Sequence, residues 1–183
     1  MDRTEQIPEA SLVERAQDGD TAAFEALVRR HQHAVYRMAL RTLQDEAEAA
    51  DAAQEAFITA WRRLPDLRDV RTFRAWLLRI TARRALNLLR SRRPDIPLDR
   101  AGAEPPDPAP GPARQAAATG LREALRVALA GLPPPQRTCW LLREMEGLGY
   151  EEIADVVGAT PTAVRGRIHR ARTRLVEALE PWR

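Results

Sequence analysis

Residues 150–172 read YEEIADVVGATPTAVRGRIHRAR, and this stretch decides the fold of the C-terminal part of the chain. Ile153 and Val157 give a short first helix an apolar face. Gly158 follows at a point where the chain must turn with a positive φ. Pro161 then suits the first position of a second helix. The spacing predicts a helix-turn-helix.

The second helix of this pair is strongly basic. It carries five arginines with no acid between them: Arg165, Arg167, Arg170, Arg172 and Arg174. A helix with this charge and this entry geometry suits the major groove of DNA. We therefore expect the C-terminal region to bind double-stranded DNA.

The composition predicts an all-α protein without catalytic chemistry. The chain has 183 residues, 44% hydrophobic and 5% aromatic, with helical periodicity and no alternating strand-like segment. All 29 basic side chains are arginines, which excludes a phosphate-loop lysine or a Schiff base. A single cysteine, Cys139, excludes an internal disulfide and a cysteine-cluster zinc site. We expect no enzyme activity, no cofactor and no small-molecule substrate.

Histidine spacing and hydropathy complete these expectations. His31 and His33 are two residues apart and point to different sides of a helix, so we expect no metal site. There is no apolar run near 18 residues and no signal-peptide pattern. We therefore expect a cytoplasmic protein.

Charge is segregated along the N-terminal half. Residues 44–55 carry five acids and no arginine, whereas residues 62–93 carry eleven arginines against two aspartates. A single charge run is often only a solvated helix face. Adjoining acidic and basic blocks, followed by a basic helix-turn-helix, instead indicate one protein-facing surface and two nucleic-acid-facing surfaces.

Half of the fourteen prolines fall between Pro94 and Pro112, which predicts an extended linker. The predicted fold is therefore all-α, with two small helical domains joined by a Pro-rich linker. The N-terminal domain spans residues 8–93, the linker 94–113, and the C-terminal domain with the helix-turn-helix 114–183.

Local signals place the helices of both domains. Ser11-x-x-Glu14 predicts a capping box at the start of the first helix. In the N-terminal domain we expect a helix over about 46–64, a loop over 65–71 and a long helix over about 72–91. In the C-terminal domain, the three prolines from Pro133 predict the start of a helix that ends at residue 147.

Three segments together resemble the extracytoplasmic-function (ECF) group of bacterial sigma factors. Residues 50–61, ADAAQEAFITAW, are similar to that group's AED-x-x-QE-x-F-x-x-A-W segment, and residues 73–80, FRAWLLRI, to its next helix. Residues 150–154 and 167–172 resemble its promoter-binding C-terminal domain. The resemblance covers most of the chain outside the linker, in order.

The resemblance implies a polymerase-docking face on the third helix. Asp51, Gln54, Glu55 and Ile58 follow the i, i+3, i+4, i+7 pattern and so share one face. In the family, this face docks on the clamp helices of the RNA polymerase β′ subunit, and the β subunit is a further partner. The alternative is a solvated amphipathic helix.

The resemblance also implies two promoter-reading elements. The next helix and the 67–71 loop would open and read the −10 strand through a basic groove and a pocket for a flipped base. Its residues are Arg71, Arg79, Arg83, Arg84, Asn87 and Arg90. Non-specific phosphate binding is the alternative for any one arginine. Arg83 and Asn87 depart from the family's usual residues, which indicates a different −10 preference.

The recognition helix would read the −35 element. Its residues are Thr162, Arg165, Arg167, His169, Arg170 and Arg172. Arg167 and Arg172 could equally be phosphate contacts, which position a helix without reading sequence. The family usually has serine where this chain has Gly166, so we expect an altered −35 sequence.

The resemblance implies a dissociable sigma factor that gives core RNA polymerase its promoter choice, with promoter DNA and an anti-sigma factor as further partners. One alternative is a stand-alone DNA-binding regulator with a LuxR-like helix-turn-helix, but the N-terminal half lacks an α/β sensing domain. Another is a helical adaptor that binds only proteins, which the arginine-rich recognition helix argues against.

Overall fold

The computed structural model describes residues 7–92 and 115–182, with side chains in the second range from residue 120 onward. All regular secondary structure in these residues is helical, which confirms the all-α prediction. The chain divides into two compact units, Met1–Leu88 and Leu89–Arg183. The predicted linker, residues 94–113, lies outside the described residues. In the part that is described, no helix is long and apolar enough to cross a membrane.

The first unit contains three α-helices and most of a fourth, with two short 3-10 turns between the last two. The helices are α1 (Glu9–Gln17), α2 (Thr21–Leu43), α3 (Glu46–Arg63) and α4 (Phe73–Arg92), and the turns are Leu64–Asp66 and Val70–Thr72. The predicted 65–71 loop is therefore partly helical. Short 3-10 turns commonly serve as such connectors.

The start of α1 corrects one prediction. The helix begins at Glu9, directly after Pro8, and the amide of Leu12 donates to the carbonyl of Pro8. Ser11 therefore lies inside the first turn of the helix and cannot be its N-cap, so the predicted capping box is wrong. Pro8 supplies the boundary instead, because its φ of −55° and ψ of 139° make it an extended residue ahead of the helix.

Aspartate side chains begin the next two helices. Asp20 accepts a hydrogen bond from the amide of Ala23 at the start of α2, and Asp45 accepts one from Glu48 at the start of α3. Each satisfies an amide that the helix leaves without an internal partner. The Asp20 cap thereby marks the start of α2, and the Asp45 cap marks the start of α3.

Alanines form the inward face of α3. Ala49, Ala52, Ala56 and Ala60 have no solvent exposure. Side chains this small let the backbone of a neighbouring helix approach closely, and α3 packs mainly against α2. With the alanines turned inward, the polar and acidic residues between them are left on the outer surface.

The second unit contains the other four α-helices, one π-helical turn and a short 3-10 turn at Glu180–Trp182. The helices are α5 (Gln115–Ala130), α6 (Pro134–Trp140), α7 (Tyr150–Val157) and α8 (Pro161–Ala178), and the π turn is Leu141–Met145. The single helix predicted over 133–147 is thus interrupted at residue 141. It nevertheless ends at the expected glycine, since Gly147 has a φ of +71°.

Arg137 ties α5 to α6 from inside the unit. Its side chain is buried, and its Nη1 donates to the carbonyls of Leu129, Ala130 and Leu132 at 3.4, 3.0 and 3.3 Å. These carbonyls lie at or just beyond the end of α5, where the helix leaves its acceptors without partners. Burial lowers the pKa of the Arg137 guanidinium to about 10.

The helix-turn-helix is present as predicted. Gly158 ends α7 in the left-handed conformation, with a φ of +64°. The hydroxyl of Thr160 accepts a hydrogen bond from the amide of Ala163, and Pro161 is the first residue of α8. Both helices turn apolar residues inward: Ile153, Ala154, Val156 and Val157 from α7, and Val164, Ile168, Ala171 and Leu175 from α8.

Candidate docking and nucleic-acid surfaces

The face of α3 expected to dock on polymerase is open to solvent. Asp51, Gln54, Glu55 and Ile58 are all exposed, because the alanine stripe of α3 faces the other way. Gln54 and Ile58 also line an open groove of about 810 Å³ along α2 and α3. Aromatic and aliphatic side chains of the groove include Phe24, Val28, Tyr36, Phe57 and Trp61. The face thus combines acids with an adjoining apolar depression.

The basic residues of α4 form the second candidate surface. Arg83, Arg84, Asn87 and Arg90 are exposed, whereas Arg79 is half-buried. Their spacing along α4 puts them on the side opposite the buried residues, which are Phe73, Leu77, Leu78, Thr81, Ala82, Ala85 and Leu86. A basic, exposed helix face can follow a nucleic-acid backbone.

The loop before α4 holds Arg71 out toward solvent. The Nε and Nη2 of Arg71 donate to the two carboxylate oxygens of Asp69, both at 3.0 Å. The hydrogen bond from the Arg71 side chain is the main reason that the pKa of Asp69 lies below its ordinary value. Asp69 also accepts from the amide of Arg71, so the carboxylate fixes both the turn and the arginine.

Gln17 supports this loop, and sequence reasoning missed it. Its Nε2 donates to the carbonyls of Leu64 and Leu67, at 3.0 and 2.8 Å. A residue of α1 thereby fixes the start of a loop about fifty positions further along the chain. No local pattern could have indicated this, because the partners are backbone carbonyls that any residue would supply.

On α8, most of the predicted residues share an exposed surface. Thr162, Arg165, His169, Arg170 and Arg172 are exposed. Arg167 is different, with only 9% of its surface exposed. It lies three residues after Val164 and four before Ala171, both buried, so helical phase turns it inward with them. The structure therefore does not bring Arg167 together with the other five.

The buried side of Arg167 faces the only cysteine. Burial raises the pKa of the Cys139 thiol to about 11, although a hydrogen bond and the charge from Arg167 act in the opposite direction. The guanidinium thus lies beside a neutral sulfur inside the unit. In this position it links α8 to α6.

No group of three or more histidine, cysteine, aspartate or glutamate side chains within residues 7–92 and 115–182 could hold a metal ion.

Comparison with known proteins identifies the family. The profile of sigma-70 region 2 matches residues 27–94, and that of sigma-70 region 4 matches residues 122–175. The chain is 39% identical to the RNA polymerase sigma-H factor of Pseudomonas aeruginosa over 185 residues, 96% of each chain. It is 35% identical to the ECF RNA polymerase sigma-E factor of Escherichia coli K12, over 97% of each chain. The chain belongs to the ECF sigma factors.

Solved structures agree with this assignment. The ECF sigma factor resembles CnrH, solved in complex with the cytosolic domain of CnrY, with a TM-score of 0.63 and 30% identity over 94% of this chain and 97% of that one. RpoE of Bartonella quintana, solved with the anti-sigma factor NepR, shares the fold at a TM-score of 0.60, with 24% identity over 86% and 96% of the two chains. As a sigma factor, the chain is a dissociable promoter-specificity subunit for transcription initiation.

Helix α8 of this sigma factor is held by contacts that the sequence alone did not indicate. The guanidinium carbons of Arg143 and Arg165 lie 4.8 and 5.2 Å from the ring centre of Tyr150. Arg172 donates from Nη2 to Glu144 Oε1 at 2.6 Å. The two arginines of α8 therefore differ: Arg165 lies over the Tyr150 ring, whereas Arg172 forms an ion pair with Glu144.

Proposed function

We propose that this sigma factor selects promoters in two parts, with α3 holding it on polymerase, α4 opening and reading the −10 strand, and α8 reading the −35 element as duplex. The observation that carries this proposal is the exposure of three surfaces of different chemistry, each considered within its own helix. One acidic and apolar face and two basic helices each lie outward from a closed alanine- or leucine-rich core.

The docking role of α3 rests on chemistry as well as position. Asp51 and Glu55 supply negative charge, whereas Ile58 and the groove beside it supply apolar surface. A polar rim around an apolar centre is the usual anatomy of a protein interface. We therefore propose this face as the surface that meets the β′ clamp helices, with the β subunit as a further contact.

The proposed −10 role of α4 rests on its exposed positive charge and on the preceding loop, in which Asp69 holds Arg71 by hydrogen bonds. Arg83, Arg84 and Arg90 are suited to the phosphates of a strand, while Asn87 offers both a donor and an acceptor to a base edge. Arg71 on its Asp69 brace would meet the strand at the loop. Arg79, being half-buried, would contribute through the field of its charge more than by contact.

The −35 role falls on the exposed residues of α8. Arg165, His169 and Arg170 lie within the first ten residues of α8, toward the N-terminal end of the helix, which is the end of a recognition helix that meets base edges. Thr162 and Arg172 suit phosphate contacts. We leave Arg167 out of the contact set because its side chain packs inside the unit. A bidentate arginine–guanine contact contributes about 1–3 kcal/mol of discrimination.

The predicted domains and linker fit this division of labour. An extended linker of roughly twenty residues spans about 60 Å at ~3.1 Å per residue. Two promoter elements separated by roughly 16–17 base pairs lie about 55 Å apart at ~3.4 Å per pair. Residues 94–113 are thus long enough for domains 8–93 and 114–183 to hold both elements at once.

Regulation and location complete the proposal. Relatives of this fold were solved with an anti-sigma factor or with a partner's cytosolic domain, which supports an anti-sigma partner here too. We propose that the chain has no catalysis of its own and acts in the cytoplasm, on the nucleoid when bound to polymerase.

The test is reconstitution with bacterial core RNA polymerase. The purified chain should co-elute with core enzyme, and the mixture should start transcripts at discrete sites on genomic fragments. Double reversal of Asp51 and Glu55 to arginine should abolish co-elution, whereas Glu14→Arg, an exposed reversal on α1, should not. DNA binding without polymerase binding would refute the proposal and favour a stand-alone regulator.

Mapped starts then test the two reading helices. Arg170→Ala should weaken promoter binding by about 1–3 kcal/mol and relax one −35 position if it reads a base. Arg172→Ala should instead weaken binding equally on all sequences. It should also lower the salt slope, which is the slope of the logarithm of the DNA-binding constant against the logarithm of salt concentration, by about 1. Arg126→Ala, an exposed change on α5, is the matched control and should alter neither.

A further inference from the structure

Tyr150 makes a contact that the proposed reading of DNA does not use. It is the first residue of α7, and its ring lies under the guanidinium of Arg165, 5.2 Å from the ring centre. A guanidinium within about 6 Å of an aromatic ring centre is attracted to the ring face. The ring therefore bridges the first helix of the helix-turn-helix to the reading surface of the second.

The ring is held in place from its own side. The amide of Gly149, just before Tyr150, donates to the carboxylate of Glu152 at 2.9 Å and so fixes the start of α7. The guanidinium of Arg143 lies 4.8 Å from the same ring centre, and its Nη1 is anchored on the carbonyl of Leu148 at 2.9 Å. A capped helix start and an anchored arginine leave the ring little freedom, so it acts as a fixed platform.

Arg165 itself keeps its hydrogen-bonding capacity. It is exposed, and within the described residues its guanidinium makes no hydrogen bond or salt bridge, unlike Arg172 on Glu144. A guanidinium attracted to a ring face uses none of its five N–H donors as hydrogen bonds in that contact. The Arg165 side chain is thus oriented by the ring, while its hydrogen-bond donors stay available for DNA.

We propose that Tyr150 is a positioning residue for −35 recognition, holding Arg165 in the conformation that meets a base. The proposal rests on the proposed role of Arg165 in −35 reading. A long arginine that is already ordered loses less conformational freedom when it binds, so the same contacts give tighter binding. The gain applies only to the bases that Arg165 reads, which separates it from a general effect on stability.

The experiment is selection from a promoter library randomised across the −35 region, bound by the reconstituted holoenzyme. Arg165→Ala identifies the positions that Arg165 reads. At those positions, Tyr150→Leu should lower discrimination between best and other bases by about two- to fivefold, the size of an exposed cation–π contact. Tyr150→Phe keeps the ring and should match the parent chain. Positions lost in Arg170→Ala should be unchanged in both Tyr150 variants.

The outcomes separate the two proposals. If Arg165→Ala leaves every position unchanged, the role of Arg165 fails, and that of Tyr150 fails with it. If Arg165→Ala flattens a position that Tyr150→Leu leaves intact, only the Tyr150 proposal is overturned. Loss in Tyr150→Phe equal to that in Tyr150→Leu would mean that the hydroxyl acts, and uniform loss at all positions would mean a structural role; either result overturns the proposal. A combined Tyr150→Leu, Arg165→Ala variant should be no worse than Arg165→Ala alone.

Discussion

Gly166 allows a sharp test of the helix-turn-helix geometry. It lies in the interior of α8, and a Cβ built there would meet only the guanidinium of Arg170, the nearest atom being Nη1 at 3.4 Å. That is ordinary van der Waals contact with the end of an exposed, flexible side chain. Gly166→Ala should therefore gain the difference in helix propensity, about 1 kcal/mol, with no steric cost.

Gly158 is the matched control, because the same change should have the opposite sign. Its φ of +64° lies in the left-handed region, where an L-residue costs about 1–2 kcal/mol. Loss of freedom in the unfolded chain offsets about 0.4–1 kcal/mol of that cost. Gly158→Ala should therefore destabilise the C-terminal unit by about 1 kcal/mol, leaving about 2 kcal/mol between the two variants.

The assay is unfolding of the full chain followed by circular dichroism, with amide hydrogen exchange to assign the change to α7 and α8. For a domain of 60–100 residues, about 1 kcal/mol corresponds to about 4–8 °C in the midpoint. The midpoint of the C-terminal transition should rise in Gly166→Ala and fall in Gly158→Ala. Equal shifts of the same sign would refute the assignment of one glycine to a helix and the other to the turn.

Three further outcomes follow from buried polar groups. Arg137→Met should destabilise the C-terminal unit by about 2–4 kcal/mol, because the carbonyls that accept from Arg137 lose a charged donor. The control, Arg126→Met, changes an exposed residue and should cost under about 0.5 kcal/mol. Urea unfolding measures both free energies. Burial lowers the pKa of the His31 imidazole, although the nearby Glu9 carboxylate acts in the opposite direction. The stability that this neutral histidine gives above the unfolded pKa of about 6.5 should therefore be lost as the pH falls below that value. Urea midpoints at pH 7.5 and 5.5 should show a larger loss in the parent chain than in His31→Gln. The Cys139 thiol, with a pKa of about 11, should resist alkylation at pH 8 until the chain is unfolded in urea.

The sequence indicated best those parts of the structure that depend on local chemistry. A glycine at a left-handed turn and a proline at the first helical position are short-range signals, so the end of α7 and the start of α8 agree with prediction. Ser11 shows how such a signal fails. The capping-box spacing is present, but Pro8 starts the helix three residues earlier and takes precedence.

Long-range support could not be inferred in the same way. Gln17 holds the carbonyls of Leu64 and Leu67, and Tyr150 receives Arg165, through contacts that depend on how helices pack. The π turn that interrupts the predicted 133–147 helix could not be inferred from the sequence either. A π turn differs from the helix on either side only in its i→i+5 hydrogen bonds, and no residue pattern used here distinguishes it.

The arginines show that residue type can be read from the sequence but that the role of a residue depends on its position in the fold. Because every basic residue here is an arginine, type alone cannot separate a DNA contact from a structural group. Helical phase does so on α8, where Arg167 follows the buried Val164 and Ala171 inward while Arg165 and Arg170 remain outside. If α8 binds the −35 element as proposed, the salt dependence of that binding comes from the exposed arginines of the helix, because a buried guanidinium displaces no counterion from DNA. Replacing Arg167 should lower the stability of the C-terminal unit and leave that salt slope unchanged.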